Sequence, residues 1–210
     1  MTWFEVLVEG QSDVPAIREI LVRKFKLTED THFKIHPHQG KGQLPSNPLA
    51  RPNPNQRQLL HQLPAKLRGY GKYLTPESVV LIVVDADDTP GEKLLADLEA
   101  MLNRLPVRPA RVLFKLAVEE TESWFIADTH AVMQAFPKAK MSNLKKISPD
   151  AVVGAWEKLA EAIGSTGSSG TDKRRWAEKI VPHLNLDDPR SPSLKLLIAG
   201  VKDELRAGAA

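Results

Sequence analysis

The run Val79-Val80-Leu81-Ile82-Val83-Val84 constrains this chain more than any other stretch. Six consecutive apolar residues, four of them Val, leave no polar face for water. Such a run reads as a strand covered on both sides, the situation of a central strand in a parallel sheet. It ends abruptly in Asp85-Ala86-Asp87-Asp88. Asp85 and Asp87 are two apart, so on a continuing strand they point to one face. Ligand crevices of open parallel sheets lie at the carboxyl ends of the strands, and a carboxylate pair there is a seat for a hard divalent cation. The competing reading is that Asp87 and Asp88 cap the helix that follows.

Two further strands share this ending. Trp3 to Val8 carries one charge and runs into Glu9-Gly10-Gln11-Ser12-Asp13. Gly10 suits a tight turn, Ser12 an N-cap and Pro15 the first helical turn. Ile17, Ile20, Leu21 and Phe25 then recur at helical spacing. Asp13 falls in the first turn, where the helix dipole favours an acid for structural reasons alone. Arg111 to Val118 is the other strand, and Glu119-Glu120-Thr121-Glu122 follows it. Parallel strands joined by helices place their carboxyl ends on one edge, so these acids should meet there. Packed carboxylates repel and raise one another's pKa values, and divalent cations relieve that repulsion. An all-oxygen donor set points to Mg²⁺ or Mn²⁺ rather than zinc.

Between these strands the chain alternates. Residues 32–38 read as a strand whose His36 and His38 are most simply ordinary polar residues. Gln39-Gly40-Lys41-Gly42-Gln43 is flexible and basic but lacks the spacing of a nucleotide P-loop. Residues 45–54 hold four prolines and read as a loop. Gln56 to Leu67 has a leucine face, with Pro64 expected to kink or end it. Thr89-Pro90-Gly91-Glu92 reads as a capping box, opening an amphipathic helix to Leu105. Ser123 to Asp128 leads into a helix reaching about Phe136. The remainder is helical: one segment after Ser148-Pro149-Asp150 with Val152, Trp156, Leu159 and Ile163 on its face, one from Lys173 to Leu184, and one capped by Ser191-Pro192-Ser193. Gly164 to Gly170 is low in complexity. The pattern predicts an α/β chain: a metal-binding core over residues 1–136 with a mainly parallel sheet flanked by helices, and a helical C-terminal extension over 137–210.

Bulk composition excludes several classes. The 210 residues are 42% hydrophobic and 26% charged, ordinary for a globular chain with a proper core. No stretch approaches the ~20 apolar residues of a membrane span, and the N-terminus runs directly into a strand rather than a signal peptide. The absence of cysteine removes disulfides and thiolate zinc sites and fits a cytoplasmic setting. The net charge is +3, but residues 138–179 hold nine Lys and Arg against five Asp and Glu. A basic half beside an acidic strand edge suits a polyanion held against metal ions; solvated helix faces account for the charge equally well.

The segments Val8-Glu9-Gly10-x-Ser12-Asp13 and Val84-Asp85-Ala86-Asp87 resemble the Toprim domain, the Rossmann-like fold of topoisomerases, bacterial primases, small maturation nucleases and the overcoming-lysogenisation-defect (OLD) nucleases. Ala117 to Asp128, with Gly40-Lys41-Gly42 and Ser191-Pro192-Ser193-Leu194, resembles a group of small stand-alone Toprim-like prokaryotic proteins, some encoded beside ATPases in settings suggestive of phage defence. The resemblance implies that Glu9 is a metal ligand or general acid/base and that Asp85 and Asp87 are the metal-binding pair. It places Asp13 where OLD-like proteins carry another acid, and Glu120 and Glu122 at the late acids of the small group, with Glu122 favoured over Glu120 and Glu119. Absence of cysteine argues against a primase, and Tyr70 and Tyr73 lie near a loop in a chain too short for a topoisomerase gate. The implied activity is Mg²⁺- or Mn²⁺-dependent hydrolysis of DNA or RNA, as the effector of an ATPase partner. Lys41 and Lys173 are candidates to stabilise transition-state charge, against the simpler reading of solvated lysines. Two other readings stay open: a non-catalytic module docking on an ATPase, and a phosphohydrolase acting on a small nucleotide. A homo-oligomer is equally open.

Overall fold

The computed structural model describes residues 1–87, 90–118, 120–144, 150, 153–167 and 169–208. Its centre is a four-stranded sheet formed by β1 (Phe4–Val8), β2 (Phe33–Pro37), β3 (Val79–Asp85) and β4 (Arg111–Ala117). The order is β2-β1-β3-β4 and every pairing is parallel. The Val79–Val84 run is an interior strand, fully buried on both sides, as its lack of a polar face predicts.

The sheet's two faces build two hydrophobic clusters. Phe4, Val6 and Val8 of β1 and Val79, Leu81 and Val83 of β3 face one way. They pack with α1 (Val14–Glu19), α4 (Glu122–Ala127), α5 (Thr129–Ala135), α7 (Ala155–Ile163), α8 (Gly170–Ile180) and α9 (Pro192–Ala207). Leu7, Val80, Ile82 and Val84 face the other way, against α2 (Leu59–Tyr73) and α3 (Gly91–Asn103). This is the strand period of two expressed as a three-layer stack. The first cluster runs unbroken from Phe4 to Val201, so the C-terminal helices share the core of the sheet. A short α6 (Met141–Leu144) lies between α5 and α7. No helix among the described residues is long and apolar enough to cross a membrane.

Several boundaries differ from expectation for identifiable reasons. α2 runs straight through Pro64 to Tyr73. An interior proline costs a helix about 3 kcal/mol, but Leu59, Leu60, Leu63, Leu67 and Tyr70 are all buried against the sheet, and that packing outweighs the loss. The helix after Asp13 is α-helical only to Glu19 and continues as a π-helical turn over Ile20–Lys24. Its N-cap is Asp13 rather than Ser12. α3 begins at Gly91 with Pro90 at the cap position; Thr89 of the expected capping box, like Asp88, lies outside the described residues. The single helix expected to reach Phe136 is two, broken at Asp128, whose side chain caps the second by accepting from Ala131 N at 3.0 Å. α7 starts at Ala155 after the left-handed Gly154, later than Ser148-Pro149 suggests; those two residues and Val152 lie outside the described residues. Gly170, the last residue of the low-complexity stretch, opens α8, and Ser169 and Asp172 form a capping box there.

One anchor ties the late serine motif to the sheet's carboxyl edge. All six residues of α4 are buried. Trp124 donates its indole N–H to Ser193 Oγ at 2.8 Å, and Ser191 caps α9 by accepting from Leu194 N. Asp150 in turn accepts from Ser191 Oγ at 2.7 Å and from Ser193 N at 2.6 Å. The Trp124→Ala substitution should remove about 3–5 kcal/mol of stability, read as a lowered midpoint in urea. A loss below 1 kcal/mol would show that α4 is not held by this contact.

A carboxylate edge as candidate functional site

Three strand ends deliver acids to one edge. Asp85 is the last residue of β3 and lies opposite Ala117. Glu9 follows β1 directly, and its Oε1 accepts the Asp85 backbone N–H at 2.8 Å. The ends of the two central strands are thereby locked together through a side chain. Asp13 is 6% exposed. Its Oδ2 accepts from Gly10 N at 2.9 Å, and its Oδ1 receives Ser12 Oγ at 3.5 Å and Thr121 Oγ1 at 3.3 Å. Glu122 opens α4 and is 3% exposed, with Oε2 3.4 Å from the same Thr121 hydroxyl. A hydroxyl has one proton to give. Thr121 therefore satisfies one of the two carboxylates at a time, and the other contact is a hydrogen bond only when that carboxyl is itself protonated.

The electrostatics follow from this crowding. Burial, then the neighbouring Asp13, Glu9, Glu122 and Glu120 charges, push Asp85 well above the ordinary aspartate range, although the residue keeps partial exposure at the edge. Burial is the largest cause at Glu9 too; the Asp85 amide opposes it, and Asp13 and Asp87 add to it, leaving Glu9 at about 8. Glu122 is raised to about 7, by burial first and against the opposing pull of Lys173. Asp13 is raised by burial against its hydrogen bonds. Four acids with elevated pKa values at one edge is what unneutralised carboxylates in a desolvated site produce.

The remaining predicted residues stand around this group. Asp87 is not on a continuation of the strand that carries Asp85. The strand stops at Asp85, and Asp87 adopts a left-handed φ of 46°, which turns it to the rim. There it pairs with Lys41 Nζ at 3.0 Å. Lys41 also donates to Ala86 O at 3.0 Å. Its position depends on the flanking glycines: Gly40 and Gly42 have φ of 94° and 68°, and a Cβ on Gly42 would meet Gln58 and His61 within 2.7 Å. Glu120 is held by Lys173 Nζ at 2.7 Å and by Trp156 N at 3.2 Å, and Lys173 sits 5.1 Å above the Trp156 ring. Burial lowers the Lys173 pKa, but Glu122 and Glu120 outweigh it and hold the ammonium above the usual lysine value. Glu119 lies outside the described residues.

Thr121 was not among the expected site residues, yet it joins Asp13 to Glu122; its place between two acids was the signal for it. His36, read as an ordinary polar residue, pairs at 2.5 Å with the largely buried Glu5, the second residue of β1. Among the described residues no group of three or more His, Asp or Glu is placed so that it could hold a metal ion. The donor chemistry and the charge, offset only in part by Lys41 and Lys173, nevertheless fit a hard cation: oxygen donors only, with no described partner on the Asp85 carboxylate or on Glu9 Oε2.

A family model described as a domain of unknown function, DUF4276, matches residues 8–202. No curated protein and no solved structure matches the chain.

The raised acids set a pH dependence of stability. A carboxyl raised on folding binds its proton more tightly in the native state. For Glu9 the native state holds extra proton between the ordinary 4.5 and about 8. Stability of the chelator-treated protein should therefore be greatest below about pH 4.5 as far as this group is concerned, and fall as pH rises towards 8. The Glu9→Gln substitution should flatten that fall and raise the melting temperature at pH 8. A melting temperature at pH 8 that drops in the variant would contradict the burial of an unneutralised charge.

Proposed function

The chain belongs to the DUF4276 family, whose description assigns no activity, and from its carboxylate edge we propose that it is a Mg²⁺- or Mn²⁺-dependent hydrolase of phosphodiester bonds in DNA or RNA. The observation that carries this reading is the meeting of Glu9, Asp13, Asp85 and Glu122 at the carboxyl ends of three parallel elements. Glu9, Asp85 and Glu122 would hold the cation, with Asp13 completing the wall; Asp87 and Glu120 are engaged by Lys41 and Lys173 and belong to the rim. A hard divalent cation supplies Lewis-acid charge to phosphate oxygens and to an attacking water.

The chain's own residues account for the rest. Glu9 keeps one oxygen on the Asp85 amide and leaves Oε2 for a proton. Without a cation its pKa stands at about 8, raised by burial and the neighbouring acids; a cation at this edge would favour the carboxylate form, in which Glu9 serves as a ligand. Thr121 orients Glu122 and Asp13. Lys173, fixed by Glu120 and Trp156, presents a half-buried ammonium beside the cluster and fits the place of a cation stabilising charge on the phosphate. Lys41 holds the same place on the other side, through Ala86 and Asp87. The resemblance to stand-alone Toprim-like proteins supports the same chemistry and suggests an ATPase as partner.

The second reading, a non-catalytic binding module, is favoured by one observation: the described carboxylates are not closed at ligand spacing. Plasmid, single-stranded DNA and tRNA incubated in Mn²⁺ separate the two. Wild-type protein should cleave at least one of them. The Asp85→Ala variant should lose at least ~100-fold in rate, and Lys173→Gln about 10²–10³-fold. Equal residual cleavage by wild type and Asp85→Ala would end the hydrolase reading, and Mn²⁺ titration showing no binding would leave only the module.

A further inference from the structure

Beyond the end of β2 lies a cleft of about 390 Å³, lined by His38, Gln39, Arg57, Gln62 and Lys66. Its wall after β2 is bonded to the chain that leads into Glu9. His38 N donates to Val8 O at 3.1 Å and Gly40 N to Glu9 O at 2.8 Å, so the loop that shapes the cleft is stitched to the residue bearing the first acid. β2 is the direct neighbour of β1, about 4.8 Å away.

Three nitrogen groups in this cleft take no part in holding the fold. Arg57 is exposed, and no described side-chain hydrogen bond or ion pair uses its guanidinium. Lys66 is half-buried on α2, one turn from Gln62, and likewise has no described ion pair. Burial pulls its ammonium below the usual lysine range, and the nearest acid acting on it, Glu5, is already held by His36 and Trp3. His38 Nδ1 lies 2.9 Å from Val8 O. A carbonyl only accepts, so Nδ1 carries the proton and Nε2 of the neutral ring is left with a lone pair. That Nε2 is buried with no partner. A buried polar atom without a partner and a desolvated ammonium are both unfavourable until something fills the cleft.

We propose that this cleft is a phosphate subsite, holding a sugar-phosphate of the nucleic-acid backbone removed from the one being cleaved. The guanidinium fork of Arg57 and the Lys66 ammonium match phosphate oxygens. His38 Nε2 lies closed to solvent behind these groups and gains a partner only where a ribose 2′-hydroxyl enters the cleft, which RNA supplies and DNA does not. A strand lying from this cleft across Gly40-Lys41 reaches the Glu9–Asp85 edge. The proposal rests on the hydrolase reading only for the identity of the substrate; the cleft's affinity for phosphate is separable from cleavage.

The test is polymer binding by the full chain in a metal chelator, where affinity is read without cleavage. Fluorescence anisotropy with labelled single-stranded DNA and RNA is followed across salt concentrations, for wild type, Arg57→Gln and Arg57→Gln/Lys66→Gln. The single variant alters an exposed residue and keeps the test open if the double variant folds poorly. Binding should weaken alike for every sequence, and the slope of log affinity against log salt should shrink by about 1 in the double variant. Unchanged affinity and slope overturn the subsite. A 5′-mononucleotide whose binding falls while the polymer's does not would assign the phosphate to a free nucleotide and overturn the backbone source. Polymer binding lost through these residues in a protein that cleaves nothing in Mn²⁺ removes the hydrolase reading and keeps the subsite. Intact cleavage with unchanged polymer affinity does the reverse.

Discussion

The hydrogen bond from the Asp85 backbone N–H to Glu9 Oε1 is the interaction on which the edge of the sheet depends. It fastens the ends of β1 and β3 through a carboxylate. It also forces a second acid, Asp85 itself, to stand beside the first. Bringing two such groups together away from water is unfavourable by itself. The fold adds Asp13 and Glu122 to the same place. Repulsion and desolvation accumulate there because β3 carries no polar residue before Asp85. Both faces of β3 are covered by helices, so its one polar residue stands at the strand end.

The elements around the edge serve to keep these acids in place. α1 begins at Asp13, whose carboxylate closes the turn by accepting from Gly10 N. α4 begins at Glu122 and is buried over its whole length, held at Trp124 by Ser193 of the last helix. α8 brings Lys173 to Glu120 from the C-terminal part of the chain. Residues more than 150 positions apart therefore set the geometry of one site, which is why the C-terminal helices share the core of the sheet rather than forming a core of their own.

The central strand, the parallel sheet and the three acidic endings were legible in the sequence because each rests on a local rule. Unbroken apolar runs need two-sided cover, and strand ends in such sheets share an edge. What escaped was decided by tertiary packing. Pro64 stays within α2 because the leucines around it are buried. Asp87 stands in a left-handed turn rather than on a continuing strand, a matter of backbone geometry that period-two spacing cannot report, while its charge still reaches Glu9. Thr121 joins two acids only once α4 folds back on the turn after β1. The unspent nitrogens of Arg57, Lys66 and His38 were invisible as a group, since they lie on a loop, a helix and a strand end that the sequence gives no reason to assemble.

The most direct test of the account is anomalous diffraction from crystals of the full chain soaked in Mn²⁺ at pH 8. A manganese peak is expected at the carboxyl ends of β1 and β3, with oxygens of Glu9, Asp85 and Glu122 about 2.1 Å away. A soaked crystal with manganese only at surface acids, and these three side chains still apart, would contradict it.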